Sequence, residues 1–109
     1  MATSVDFSTD LLHRVTQLEA LASPQRLEIF RLLVEHEPAG LFSGEIAECL
    51  GQAPNAISFH LKSLQHAGLV SVQREGRFQR YRARVSEVRE LLHYLTENCC
   101  RGTQNCIVP

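Results

Sequence analysis

The residues with the sharpest chemistry sit near the end of the chain. The stretch TENCCRGTQNC carries Cys99, Cys100 and Cys106, three of the four cysteines, within eight residues. Thiolates are soft donors and reversible redox groups. Such a cluster points to coordination of a soft acceptor or to oxidation chemistry. Disulfide frameworks belong to oxidising compartments. The opening residues, MATSVDFSTD, contain no basic segment followed by an apolar run, so no secretory leader is expected, and no stretch approaches a membrane span. The expected location is the cytoplasm. There the thiols read first as metal ligands, sensors or small buried groups.

A second constellation is basic. Residues 55–84 hold Lys62, Arg74, Arg77, Arg80, Arg82 and Arg84 against one acid, Glu75, a local +5 in a chain of net charge −1. The remaining residues therefore carry −6. This is either a solvated strand face or the electrostatic footprint of nucleic-acid binding. The rest of the composition is that of one ordinary globular domain, with 109 residues, 44% hydrophobic and 21% charged. A domain this small has a thin margin of stability, which a dimer interface would widen.

These groups must be positioned by the elements the pattern implies. Phe7, Leu11, Val15, Leu18 and Ala22 recur at helical spacing over residues 7–22, with Ser8 as N-cap. Ser23 then caps a second helix with Pro24 in its first position and Leu27, Phe30, Leu33 and Val34 facing inward; Pro38 and Gly40 end it. SGEIAECLGQAPNAISFHLKSLQHAGLV reads as a short helix, a tight turn and a longer helix. Ser43 is the expected cap of the short helix, and Ile46, Ala47 and Leu50 its inner face. Cys49, beside Leu50, is expected to be a small buried residue. Gly51 suits the turn, Pro54 or Asn55 opens the longer helix, Ile57, Leu61 and Leu64 face inward, and Gly68 closes it. Two helices joined in this way form a helix-turn-helix pattern, shared with simple helical hairpins. LVSVQREGRFQRYRARV decides between them by alternating with period two around EGR. Val70 and Val72 share one strand face; Tyr81, Ala83 and Val85 share a face of the next strand, and Arg80, Arg82 and Arg84 the other. A last helix over residues 86–98, capped by Ser86, carries Val88, Leu91, Leu92 and Leu95 and runs into the thiols. The expected fold is mainly α with a β-hairpin, a winged helix-turn-helix of order ααααββα over residues 1–98, followed by a cysteine-bearing tail at 99–109.

This order, together with ALASPQRLEIFRLL, AISFHLKSLQHAGLV and REGRFQRYR, resembles the ArsR/SmtB family of bacterial metalloregulatory repressors. The resemblance covers most of residues 20–85. It implies a homodimer, paired through the first and last helices, that sits on operator DNA and releases it when an inducer binds. Many arsenical-responsive members carry a cysteine pair in a motif like ELCVCDL; the matching GEIAECL has only Cys49, outside the pair's positions. Zinc-sensing members place Asp and His at the start of the last helix, where VSEVREL has neither, and His93 with Glu97 alone makes a poor zinc site. The tail is similar to a smaller set of arsenite-responsive members with Cys-Cys-x5-Cys at the end of that helix.

The donor set agrees with that similarity. Arsenite and antimonite are three-coordinate, whereas structural zinc takes four ligands. Three thiols without an evident fourth partner favour As(III) or Sb(III) as inducer, with Cys99, Cys100 and Cys106 as ligands and no resident cofactor. Closing Cys100 to Cys106 costs little loop entropy. The alternative is a thiol-based redox-sensing repressor of the same fold. An enzyme is not expected: the thiols follow a helix C-terminus, where the dipole disfavours thiolate, and no phosphate loop or acid–base pair accompanies them.

With Ile57, Leu61 and Leu64 inward, 100° per residue turns Asn55, Phe59, Lys62 and His66 outward and leaves Ser58 on the flank. Asn55, Ser58 and Phe59 are the candidates for base edges, since Asn pairs with adenine and Phe touches a thymine methyl. Gln52 and Lys62 are candidates for phosphate or base, and Arg74, Arg77 and Arg80 for phosphate or the minor groove. His60 and His66 are six apart and do not face each other, so they read as packing or phosphate contacts rather than metal ligands. A two-fold dimer implies an imperfect palindrome in double-stranded DNA.

Overall fold

The structure is a computed structural model that describes residues 7–102. Its elements are α1 (Thr9–Leu21), α2 (Pro24–Glu35), β1 (Leu41–Phe42), α3 (Ser43–Leu50), α4 (Pro54–His66), β2 (Val70–Glu75), β3 (Phe78–Ala83) and α5 (Val85–Thr96). The strands form one antiparallel sheet in the order β1-β3-β2. The expected hairpin is therefore two-thirds of the sheet. The two residues of β1 are too few to leave a period-two signal.

Local chemistry explains most boundaries. The Ser8 hydroxyl accepts the Leu11 N–H at 3.1 Å and opens α1, and Ser23 with Pro24 opens α2. Arg26 in the first turn of α2 donates from Nε to the Ala20 carbonyl at 2.7 Å, satisfying the end of α1. Gly51 and Gly68, at φ +62° and +76°, close the two helices of the helix-turn-helix. At each, the following amide reaches back five residues, Gln52 to Ala47 at 3.1 Å and Leu69 to Leu64 at 3.0 Å.

Two expected caps shift. Ser43 is already the first residue of α3; Phe42 precedes it, and its N–H donates to the Glu45 carboxylate at 2.8 Å. Ser86 lies inside α5, which starts at Val85 with Arg84 before it. Val85 thus belongs to the helix rather than to the strand.

The core lies between α2, α3, α4 and the inner sheet face. Ile29, Leu33, Ile46, Ile57, Leu61, Leu64 and Leu69 are fully buried, ringed by Phe30, Leu41, Val70, Tyr81 and Ala83. Each large side chain contributes about 1.5–3 kcal/mol by leaving water. On α2 the inward residues include Ile29, while Leu27 and Val34, expected inside, are exposed.

The outer helices differ more. Phe7, Val15, Leu18 and Ala22 of the expected α1 stripe face solvent. The buried residues of α1 are Arg14, Gln17 and Ala20. Its contact with α5 is polar: Gln17 Nε2 donates to Glu87 Oε1 at 2.8 Å and Arg14 Nη2 to Glu90 Oε1 at 3.5 Å, while within α1 Arg14 Nη1 donates to Gln17 Oε1 at 3.1 Å. α5 packs through Val85, Val88 and Leu91, leaving Leu92 and Leu95 56% and 54% exposed. Helical periodicity located both stripes, but it does not say which side of a helix meets its own core.

Candidate nucleic-acid interface

The core consumes one face of α4 completely, because Ile57, Leu61 and Leu64 are all fully buried. The opposite face carries Asn55, Ser58, Phe59, Lys62 and His66, all exposed, with Phe59 at 66%. A phenylalanine that exposed lies outside the apolar core that holds the helix. Gln52, in the turn before α4, is half-buried. His60 is half-buried beside the Phe59 ring, and its Nδ1 has no partner among the described residues.

The wing, β2 and β3, follows α4 directly in the chain. Glu75 and Phe78 face each other across a two-residue turn whose first member, Gly76, has φ +65°. A positive φ at that position is the type II′ hairpin requirement. Arg77 at the tip is exposed and makes no intramolecular bond among the described residues. Arg74 is also exposed, and among the described residues its side chain bonds only the Gly76 carbonyl, at 3.1 Å.

Arg80, expected to reach DNA with them, is engaged inside the protein. Its Nε and Nη2 donate to the two Glu75 oxygens at 2.8 and 3.2 Å, Nη1 donates to the Ala39 carbonyl at 3.2 Å, and the guanidinium lies 4.2 Å over the Phe42 ring. This hydrogen bond holds the Glu75 carboxyl below the ordinary glutamate value. Arg82 donates to the Pro38 carbonyl and to Gln73, and Arg84 to the Gly68 carbonyl. Two arginines of β3, and Arg84 just after it, thus tie loops and strands together. Reading the alternation alone missed Glu75 and Phe42 as their partners. The signal was available for Glu75, since Arg80 is its diagonal cross-strand neighbour in a two-residue hairpin.

At the far end, the chain leaves α5 in a turn closed by Cys99 N–H to the Thr96 carbonyl at 2.9 Å. Cys99 and Cys100 are exposed, and their sulfurs lie 3.4 Å apart. Cys106 lies outside the described residues. Within the described residues no three His, Cys, Asp or Glu side chains gather to hold a metal. His93 and Glu97 are 3.9 Å apart on the exposed side of α5.

Cys49, expected to be buried, is exposed. It sits about 100° round α3 from the centre of the Ile46, Ala47 and Leu50 face. No helix among the described residues is long and apolar enough to cross a membrane.

Residues 21–73 match the model of a helix-turn-helix domain family. No curated protein matches the chain. Solved structures do. An ArsR-like transcriptional regulator from Rhodococcus sp. RHA1 is 29% identical, with a TM-score of 0.74 over 83% of this chain and 82% of that one. Reduced HlyU from Vibrio cholerae N16961 is 30% identical, with a TM-score of 0.64 over 84% of this chain and 93% of that one. A homodimeric winged helix-turn-helix DNA-binding domain from Mycobacterium bovis, a possible ArsR-family transcriptional regulator, is 30% identical, with a TM-score of 0.63 over 96% of this chain and 99% of that one. The helix-turn-helix, the hairpin wing behind it and these likenesses make this chain a member of the ArsR/SmtB family of winged helix-turn-helix transcriptional regulators.

Proposed function

We propose that the protein is a cytoplasmic, non-enzymatic repressor that binds palindromic operator DNA as a homodimer and releases it when As(III) or Sb(III) occupies Cys99, Cys100 and Cys106. The observation that carries the DNA reading is the exposed face of α4. Asn55, Ser58 and Phe59 meet base edges, Gln52 and Lys62 meet phosphate or base, and Arg74 and Arg77 meet the backbone or minor groove. Arg80, with its donors engaged inside the wing, moves from contact to support. The exposed leucines of α5 and the apolar stripe of α1 supply the dimer surface, in keeping with the homodimeric M. bovis domain.

Two sulfurs 3.4 Å apart at the end of α5 support the inducer site, because one pyramidal three-coordinate atom can bind both. Binding would join Cys106 to that pair and shift α5 against α1, where Glu87 meets Gln17. Coupling of this kind is typically ~1–3 kcal/mol, or 5–150-fold in DNA affinity. Each thiol proton leaves with a hydroxide of arsenious acid as water, three thiols and As(OH)3 giving the trithiolate and three waters, so binding by the protonated thiols releases no net proton.

Thiol titration tests the site. One equivalent of arsenite per protomer should protect three of the four thiols from a disulfide reagent and leave exposed Cys49 reactive. Protection of two thiols, or of none, would remove Cys106 or the whole site. Selection of bound duplexes from a random pool tests the DNA reading: inverted repeats are expected, and no enrichment would sink it.

The second reading is a redox-sensing repressor. The close sulfur pair and the likeness to reduced HlyU favour it. Release of DNA by peroxide but not by arsenite would select it.

A further inference from the structure

We propose that Arg80 is a positioning residue for DNA binding: it locks the wing onto the entrance of the helix-turn-helix and so sets where Arg74 and Arg77 lie relative to α4. The proposal rests on the reading that those two arginines meet the DNA backbone.

The wing needs such a lock. Its core contacts, Val70, Tyr81 and Ala83, all lie in its proximal half. Gln73, Arg74, Gly76, Arg77, Phe78 and Gln79 are exposed. Two strands without a packed face are marginal in water. What fixes the distal half lies on the outer face of the sheet. Arg80 grips Glu75, one residue from the tip, and at the same time covers Phe42 and bonds Ala39. Phe42 immediately precedes α3, and its ring stands 5.4 Å from that of Phe78. Arg82 repeats the tie one step closer to the core, between Gln73 and the Pro38 carbonyl. The path from wing tip to helix-turn-helix is therefore continuous: Glu75, Arg80, Phe42, α3.

Glu75 sharpens the point. It is the single acid in residues 55–84 and lies beside the tip, where it repels phosphate. An acid there works against association by charge alone. Its bidentate grip on Arg80 gives it an opposing role, because a planar fork fixes orientation as well as distance.

The two effects make opposite predictions for Glu75→Ala. Charge alone predicts tighter binding, since a repulsive group is lost and Arg80 is released. Positioning predicts weaker binding. The assay is fluorescence anisotropy on a labelled duplex selected with the full chain, across a salt series. Glu75→Ala should bind about three- to fivefold more weakly, the scale of one exposed ionic contact. Its log–log salt slope should shrink by about 1, as if one phosphate contact were gone. Arg80→Lys keeps the charge but loses the fork, and it should show the same loss. In an Arg77→Ala background, Glu75→Ala should add little further loss. Thermal unfolding checks each variant, and Arg80→Lys decides the matter if Glu75→Ala melts below the assay temperature. Binding equal to or tighter than wild type in the folded variant overturns the proposal. An Arg77→Ala protein that binds normally would instead remove the wing reading beneath it.

Discussion

Replacing Leu92 and Leu95 together by alanine should take the dimer apart without unfolding the protomer. Both side chains are more than half exposed, whereas Leu91 beside them is 3% exposed. Full burial of a leucine is worth about 1.5–3 kcal/mol, so covering the exposed half is worth about 1 kcal/mol. A two-fold interface counts each residue twice. Four such side chains give about 4 kcal/mol, roughly a thousandfold in the dimer dissociation constant. Sedimentation equilibrium over a concentration series measures that constant, and far-UV circular dichroism shows whether the helices persist. Leu91→Ala should do the reverse, costing about 2–5 kcal/mol of protomer stability through the cavity it leaves. A dimer constant unchanged in the double variant would refute the assignment of these faces to the interface.

Three further outcomes follow from single contacts. Arg77→Ala should weaken binding to all duplexes alike and reduce the salt slope by about 1, as read in an anisotropy salt series. Gly40→Ala should lower stability by at least about 2 kcal/mol, roughly 10 °C in Tm. Gly40 has φ +75°, and its new methyl would collide with the Tyr81 carbonyl oxygen. Burial alone would raise the Glu87 pKa, but hydrogen bonds from His13 and Gln17 and the charges of Arg84 and His13 hold it below the ordinary value of 4.5. A depressed carboxyl stabilises the fold above about pH 4.5 and loses that contribution as pH falls through its folded value. Urea unfolding from pH 6 down to 2 should therefore show a shallower acid limb in Glu87→Gln than in wild type.

The parts of the fold with a complete local signature are legible in the sequence. α4 combines Pro54, an apolar face of Ile57, Leu61 and Leu64, and Gly68, and each does what its chemistry implies. The hairpin was equally readable, because period two and Gly76 specify register and turn together.

What escaped were relations between distant elements. β1 is two residues held by β3, with Leu41 opposite Tyr81 and Phe42 opposite Arg80, and nothing local announces it. Arg80 looked like a group awaiting a ligand because one of its partners, the Ala39 carbonyl, is some forty residues away. The α1 stripe was visible, but its direction is set by Gln17 and Arg14 turning inward to Glu87 and Glu90 on α5. A buried glutamine has no periodic signature. Cys49 shows the same limit at short range: a neighbour of Leu50 in sequence lies off the buried face in space.

The central claim is that a metalloid on the tail thiols releases DNA. The most direct measurement is operator affinity by fluorescence anisotropy, with and without arsenite, for wild type and for Cys100→Ser. Arsenite should weaken wild-type binding by 5–150-fold, the usual range for coupled sites, and leave Cys100→Ser on its duplex. Equal release of both proteins, or retention of both, would contradict the account.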